Sequence, residues 1–345
     1  MSSGGRILAD ALSFLVINVS RIGDTLLATP AIRAIARAYP GARIDALCHP
    51  KRADILKHLP SIKRVGAITK HTALARGWLP GRRYDYALVY GFDGALVHYG
   101  LRAAKKVVAF HQASETLDQR LHRAVEVPAF QSEHSVLQLL RLPAALGIEP
   151  AGLRLDYWVT QEERARAKGR LERDAPYGCR PLIGLQVASF PTKSYRDWPV
   201  ESFAALCDRI LGQWTRAHFL IYGGAGERAR TGWLSERLGP RATLYAGLCL
   251  RETAAVMNLT DLFVGVDTGP THLMSAFDVP LVGLYHCHAP SRLIGALDHP
   301  CFYPVDHPRP HPCATDVPMA EIPVEAVMTA VRRALTDHPP RADAP

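Results

Sequence analysis

Two long stretches of this chain repeat one pattern: a short apolar run, a polar turn, then a segment with apolar residues at helical spacing. Residues 14–19 form the first run, a turn follows at 20–23, an amphipathic stretch covers 24–39, and 43–48 supply the next run. Alternation of buried-strand and helix signals predicts an α/β fold, and a strand–helix–strand unit of this kind crosses over right-handedly. Pro30 stands inside the helical stretch, so a kink or a fresh helix start is expected there. Further strands are expected at 84–90 and 105–110, and a helix at 135–146 ended by Gly147.

The second series has strands at 182–187, 217–222, 262–266 and 281–285, with a closing helix at 324–335. Between the series lie a charged helix at 161–173 and the run Ala175-Pro176-Tyr177-Gly178, which reads as an interdomain linker. A length of 345 residues suits two domains, expected at 1–174 and 179–322, followed by a C-terminal helix and tail at 323–345. The ends, 1–5 and 338–345, read as frayed. Ligands of doubly wound sheets bind beyond the carboxyl ends of the strands, so the expected site is the cleft between two such halves.

No apolar run reaches the roughly 18–20 residues of a membrane span. The N-terminus lacks a basic segment followed by an apolar core, so a cytoplasmic location is expected. Seven cysteines without regular spacing argue for reduced thiols. The formal charge of +9 fits anionic partners such as nucleic acid, anionic lipid or a phosphorylated substrate, or serves solubility alone.

Four motifs sit where chemistry is expected. Ser20-Arg21-Ile22-Gly23-Asp24-Thr25 joins a buried strand to a helix, so Asp24 either faces the ligand crevice or serves as an ordinary N-cap. Asp267-Thr268-Gly269-Pro270-Thr271-His272 also opens a helix after a strand; its backbone N–H groups suit a diphosphate, and the alternative is a capped turn. Lys193 and Arg196, in the run 189–199, are cations able to neutralise a departing diphosphate, or else members of a solvated basic loop; Trp198 and Pro199 are expected to pack. Gly223-Gly224-Ala225-Gly226-Glu227 matches only part of a dinucleotide fingerprint, leaving Glu227 either a ribose acceptor or a first-turn carboxylate. A fifth cluster, His286-Cys287-His288 with Cys301, His307, His311 and Cys313, lacks the paired spacing of a zinc site and reads as a surface loop, so no metal is expected.

Taken in order, these motifs resemble the heptosyltransferases of bacterial lipopolysaccharide core synthesis, glycosyltransferase family 9. The resemblance rests on the run 17–34, on Thr192-Lys193 through Trp198-Pro199, on Gly247-Leu248 through Glu252-Thr253-Ala254, and on 267–272, spanning about 14–331. It implies a GT-B fold, two Rossmann-like doubly wound domains facing each other across a cleft, the first for the acceptor and the second for the nucleotide sugar. It further implies inverting, metal-independent transfer from ADP-heptose to a phosphorylated glycolipid at the cytoplasmic face of the inner membrane, without a cofactor and without nucleic acid. By resemblance Asp24 is the general base; Ser20, Arg21 and Gly23 lie toward the acceptor; Lys193, Arg196, Glu227, Asp267, Thr268, Gly269 and His272 lie toward the donor. Two departures stand out: the insertion-like Ser194-Tyr195-Arg196-Asp197, which leaves open which cation meets the diphosphate, and His286 where the family usually has glycine. The rival expectations are a transferase of another nucleotide sugar, an inactive glycolipid-binding member, and a nicotinamide dehydrogenase.

Overall fold

The computed structural model describes residues 12–76, 83–129 and 131–340. The chain divides into two compact units, Met1–Phe130 with Val136–Leu153, and Gln131–Ser135 with Arg154–Pro345. The first holds β1 (Ser13–Asn18), β2 (Arg43–Cys48), β3 (Arg64–Ala67), β4 (Tyr84–Tyr90), β5 (Ala104–Phe110) and β6 (Arg123–Val125). They form one six-stranded sheet in the order β3-β2-β1-β4-β5-β6, every neighbouring pair parallel. The second holds β7 (Leu182–Gln186), β8 (His218–Gly223), β9 (Ala242–Ala246), β10 (Leu262–Val266), β11 (Leu281–Tyr285) and β12 (Phe302–Asp306). Its order is β12-β11-β10-β7-β8-β9, again parallel throughout. In each sheet the winding reverses beside the unit's first strand, which opens a crevice at the carboxyl ends of the central strands.

β7, β10 and β11 are buried along their whole length because helices cover both faces. Phe203 and Ile210 from the helix Val200–Gln213 and Val327 and Val331 from the helix Val324–Asp337 share a core with Leu185, Val264 and Val282. That last helix, expected as part of a separate C-terminal piece, therefore belongs to the second unit. In the first unit Leu15, Ile17, Val89 and Val107 pack with Leu96 and Val97 of the helix Gly94–Ala103. The fresh start expected at Pro30 is observed: Ile22–Leu27 and Thr29–Ala38 are separate helices, with Pro30 in the first turn of the second. Gly147, at φ +75°, follows the helix Ser135–Ala144 and turns the chain away. Among the described residues no helix is long and apolar enough to cross a membrane. The first five residues and 341–345 lie outside the described residues.

One expected boundary moves. The helix Gln161–Asp174, read as the end of the first domain, belongs to the second unit, so 175–178 lies within that unit and not between the two. Thr160 and Glu163 start this helix with a capping box, Glu163 N–H donating to Thr160 Oγ1 at 3.2 Å and Thr160 N–H to Glu163 Oε2 at 2.9 Å. The same Glu163 pairs with Arg251 of the helix Leu250–Met257, whose Nη2 also donates to Trp158 O at 2.6 Å. The hydrogen bonds from Arg251 outweigh burial and hold the Glu163 carboxyl down at about 2, against an ordinary 4.5. A depressed native pKa stabilises the fold above the unfolded value and ceases to do so as pH falls through about 2. Arg251→Ala is expected to cost about 3 kcal/mol at neutral pH, the low end for a buried pair because Glu163 and Arg251 line an open recess. Thermal unfolding should show that deficit narrowing between pH 4.5 and about 2; a deficit independent of pH would mean that Arg251 acts by packing alone.

Candidate functional site

A buried cluster of charged and polar side chains in the second unit lies beyond the carboxyl ends of β10 and β7. Asp267 follows β10 directly and is 2% exposed. Arg196 Nη1 stands 2.7 Å from its Oδ2, and His272 Nε2 stands 3.2 Å from its Oδ1. Burial would push this carboxyl up, but the His272 contact and the charges of Arg196 and Lys193 outweigh it and hold Asp267 below the usual carboxylate range. These are ion-pair distances whose N–H directions do not meet hydrogen-bond geometry, so both Asp267 oxygens keep accepting capacity, as do Thr268 Oγ1 and Gln186 Oε1 beside them. Buried polar atoms without aligned partners are few in native proteins and mark places where a ligand or water completes the set. Gly265 makes the geometry possible: a Cβ there would stand 2.8 Å from Thr271 Oγ1, so only glycine lets the helix Gly269–Met274 come this close to the strand.

Arg196 and Lys193 reach the site from a 3₁₀ turn, Pro191–Arg196, in which Lys193 departs from helical geometry at φ −130° and ψ 20°. The turn is closed internally. Ser189 Oγ donates to Lys193 O at 2.7 Å, Ser189 N–H donates to Asp197 Oδ1 at 2.6 Å, and Arg230 Nη2 donates to Trp198 O at 2.7 Å. Trp198 packs, as expected: it is fully buried, its ring meets Phe203 edge-on at 4.9 Å, and its Nε1–H donates to Ile322 O at 2.9 Å. Tyr195 was not singled out in the sequence, yet both cations gather on it. Lys193 Nζ is 5.8 Å and Arg196 Cζ 5.4 Å from its ring centre, and Arg196 Nε–H donates to its hydroxyl at 3.1 Å. Glu227, half-buried, folds back to accept the Gly224 N–H, so it closes its own turn, as the first-turn reading expected.

In the first unit, Asp24 occupies the first turn of the helix Ile22–Leu27; Arg21 is the N-cap, so the N-cap reading of Asp24 does not hold. Its side chain is exposed, and among the described residues its carboxylate has no hydrogen bond or ion pair. Gly23 is buried within the helix and not in the turn before it. Ser20 Oγ bonds Asn18 Oδ1 and lies 3.3 Å from Thr25 Oγ1, while Thr25 Oγ1 donates to Arg21 O at 2.8 Å. These bonds fix the turn that carries Asp24.

The basic residues of the first unit do not gather at the ligand end of its sheet alone. Lys51 and Arg52 follow the carboxyl end of β2, but Lys63, Arg64, Arg83, Lys105 and Lys106 lie at or before the amino ends of β3, β4 and β5. Several of them are committed there, Arg64 to Asp45 at 2.8 Å and Lys105 to Asp85 at 2.8 Å. Arg82 lies outside the described residues. The His- and Cys-rich run is a surface loop only in part, exposed at 308–310 and 314–316. His286 and Cys287 are buried, and Cys287 is disulfide-bonded to Cys313, 26 residues away, which corrects the expectation of reduced thiols at these two positions.

The profile of glycosyltransferase family 9 (heptosyltransferase) matches residues 78–300, more than half of the chain. The chain belongs to this family. Lipopolysaccharide heptosyltransferase 1 of Pseudomonas aeruginosa is 29% identical over 79% of this chain and 78% of its own. A glycosyl transferase family 9 structure from Veillonella parvula superposes with a TM-score of 0.83 at 17% identity, covering 95% of this chain and 98% of that one. The E. coli heptosyltransferase WaaC with ADP gives 0.71 at 20% identity, covering 94% and 100%. The two parallel sheets with flanking helices are thus the GT-B fold of a heptosyltransferase-family enzyme.

Within this family 9 chain both departures seen in the sequence meet at one place. The inserted Tyr195 stands edge-on to His286 at 5.2 Å and to His288 at 5.9 Å, so the residue replacing the usual glycine supports the ring on which the two cations rest. Because Asp267 is held low, its contacts stabilise the folded state above the ordinary aspartate value, about 3.9, and are lost as pH falls through the lowered native value. Arg196→Ala is expected to destabilise the heptosyltransferase by about 3 kcal/mol at pH 7, with His272 remaining as partner, and by less near pH 3. Equal losses at both pH values in thermal unfolding would remove the electrostatic role.

Proposed function

We propose that this protein transfers heptose from ADP-heptose to a sugar hydroxyl of the lipopolysaccharide core or a related glycolipid, with inversion and without a catalytic metal or cofactor. The observation that carries the donor half is the pairing of Lys193 and Arg196 on Tyr195 beside Asp267, at the ligand end of the second sheet. A leaving nucleotide diphosphate needs fixed positive charge, and preorganised cations supply it without a divalent ion. Thr268, Gly269 and His272 follow β10, and Glu227 follows β8, two strands along the same end of the sheet, as a donor's phosphates and ribose would require. The acceptor hydroxyl attacks the anomeric carbon, the bond from that carbon to the diphosphate oxygen breaks, ADP departs, and the hydroxyl proton passes to a carboxylate. Asp24, exposed and unpaired among the described residues, suits that last step. Ser20 and Gly23 hold its turn, and Arg21, Lys51 and Arg52 are cations at this sheet end for a phosphorylated acceptor. This assigns the acceptor to the first unit and the donor to the second, and fits an enzyme working at the cytoplasmic face of the inner membrane.

The deciding experiment incubates the purified protein with heptose-deficient core glycolipid and, in parallel, ADP-heptose, UDP-sugars or GDP-sugars, reading product mass and anomeric configuration. Heptosylated product of inverted configuration from ADP-heptose alone is expected, at a rate unchanged when magnesium and manganese are withheld. Transfer only from a UDP- or GDP-sugar would establish the rival donor, and tight NAD binding without transfer the dehydrogenase. Asp24→Asn is expected to keep the fold and lower turnover by about 10²–10⁴. Wild-type turnover by the folded variant would take the base role away from Asp24.

A further inference from the structure

Two loops of the second unit, 286–290 after β11 and 307–318 after β12, bring two sulfurs and one ring nitrogen together. His286 Nδ1 lies 4.0 Å from Cys287 Sγ and 3.9 Å from Cys313 Sγ. His286 is 1% exposed and Cys287 2%, while Cys313 is reached by solvent. His286 Nε2 meets Val317 O at 2.7 Å, which assigns the ring proton to Nε2 and leaves the lone pair on Nδ1, where it accepts the His288 N–H at 3.0 Å. The carbonyls of the two cysteines are themselves held, Cys313 O by His288 Nδ1 at 3.1 Å and Cys287 O by His311 Nδ1 at 2.9 Å.

We propose that, once the disulfide is reduced, the Cys287 and Cys313 thiolates and His286 Nδ1 bind one soft divalent cation of the zinc class. A dithiol breaks the S–S bond by supplying two electrons and two protons and becomes its own disulfide; a phosphine supplies the two electrons, water supplies the two protons and the oxygen, and the phosphine becomes its oxide. The cation then displaces the two thiol protons and takes the Nδ1 lone pair from the His288 N–H. Three features carry the assignment. A tetrahedral zinc site with metal–sulfur and metal–nitrogen bonds of about 2.3 and 2.0 Å sets sulfur and nitrogen about 3.5 Å apart, a few tenths of an ångström from the separations here. A ligating histidine is normally oriented by a hydrogen bond from its other nitrogen to a carbonyl, which Val317 already accepts. Two thiolates and an imidazole select a soft or borderline ion over magnesium or calcium, and the solvent side of Cys313 leaves room for a water as fourth ligand. Disulfide and metal are alternative fasteners of the same loops. Either would keep His286 and His288 edge-on to Tyr195, and so hold the loop of Lys193 and Arg196 in both redox states.

The test uses the full chain, reduced with a phosphine under argon, desalted, and titrated with cobalt(II), then zinc. One equivalent of cobalt should give a thiolate-to-cobalt charge-transfer band and the visible bands of a tetrahedral ion, both bleached by zinc. The oxidised protein should show neither, and Cys249→Ser, at an exposed cysteine outside the cluster, should keep both. Cys313→Ser and His286→Ala should each weaken cobalt binding at least tenfold. Because either variant could fail to fold, alkylation of the reduced wild type followed by peptide mass spectrometry provides a second measurement, zinc slowing modification of Cys287 and Cys313 at least tenfold. Absence of the charge-transfer band in the reduced protein, bands unaltered in folded Cys313→Ser or His286→Ala, or equal alkylation with and without zinc would each overturn the proposal and leave a plain disulfide.

Discussion

The buried carboxylate of Asp267 is the constraint on which the ligand end of the second unit depends. An ionised carboxylate removed from water costs several kcal/mol unless partners are brought to it, and here they come from two different segments. His272 approaches from the helix that Asp267 itself introduces, and Arg196 from the loop after β7. Drawing Arg196 inward fixes Tyr195, whose hydroxyl accepts from its guanidinium, and the Tyr195 ring in turn rests against His286 and His288. One charge thus coordinates three loops that are far apart in the sequence, and the Cys287–Cys313 link closes the last of them.

The loop carrying the cations owes its shape to bonds that need no ligand. Ser189, Asp197 and Arg230 tie its backbone, and Trp198 anchors its end in the core through Phe203 and the Ile322 carbonyl. Cations on such a turn are set before a substrate arrives, so little reorganisation accompanies the build-up of negative charge on a leaving group; this is the condition under which electrostatic stabilisation is most effective. The lysine–tryptophan–proline run of the sequence is therefore one unit in which the tryptophan holds the turn and, under the proposed function, the cations meet the diphosphate.

What the sequence revealed follows burial. All eight central strands were legible because strands buried on both faces are near-continuous apolar runs. The four that were not, β3, β6, β9 and β12, are the four edges of the two sheets. β6 has three residues, and β12 alternates in exposure and contains Pro304, tolerated because an edge strand has one unpaired side. The affiliation of the helix Gln161–Asp174 was hidden for another reason: periodicity shows that a helix has a face, but contacts such as the Glu163–Arg251 and Arg170–Glu252 pairs show what the face meets. Asp24 in the first unit and Lys193, Arg196, Asp267 and His272 in the second stood out as polar and charged groups after strands. Tyr195 and the Cys287–Cys313 pair did not, since their roles arise from contacts between loops whose spacing in the chain carries no signal.

Asp24 and Asp267, each opening a helix after a strand, have opposite surroundings, and the surroundings separate their chemistry. Asp267 is enclosed, and the Arg196 guanidinium and the His272 ring against it favour its ionised form, so it is a weak base whose value lies in fixing those two side chains. Asp24 is exposed on the first turn of a short helix and, among the described residues, has no pairing to give up on accepting a proton. A glycosyl transfer with inversion needs one group of each kind: a carboxylate free to take the acceptor's proton and an assembly of cations held where the diphosphate leaves. Under the proposed function, exchanging the two environments would defeat both roles, because a free carboxylate beside a diphosphate would repel it, and a paired one beside the acceptor would hold its cations in preference to the proton.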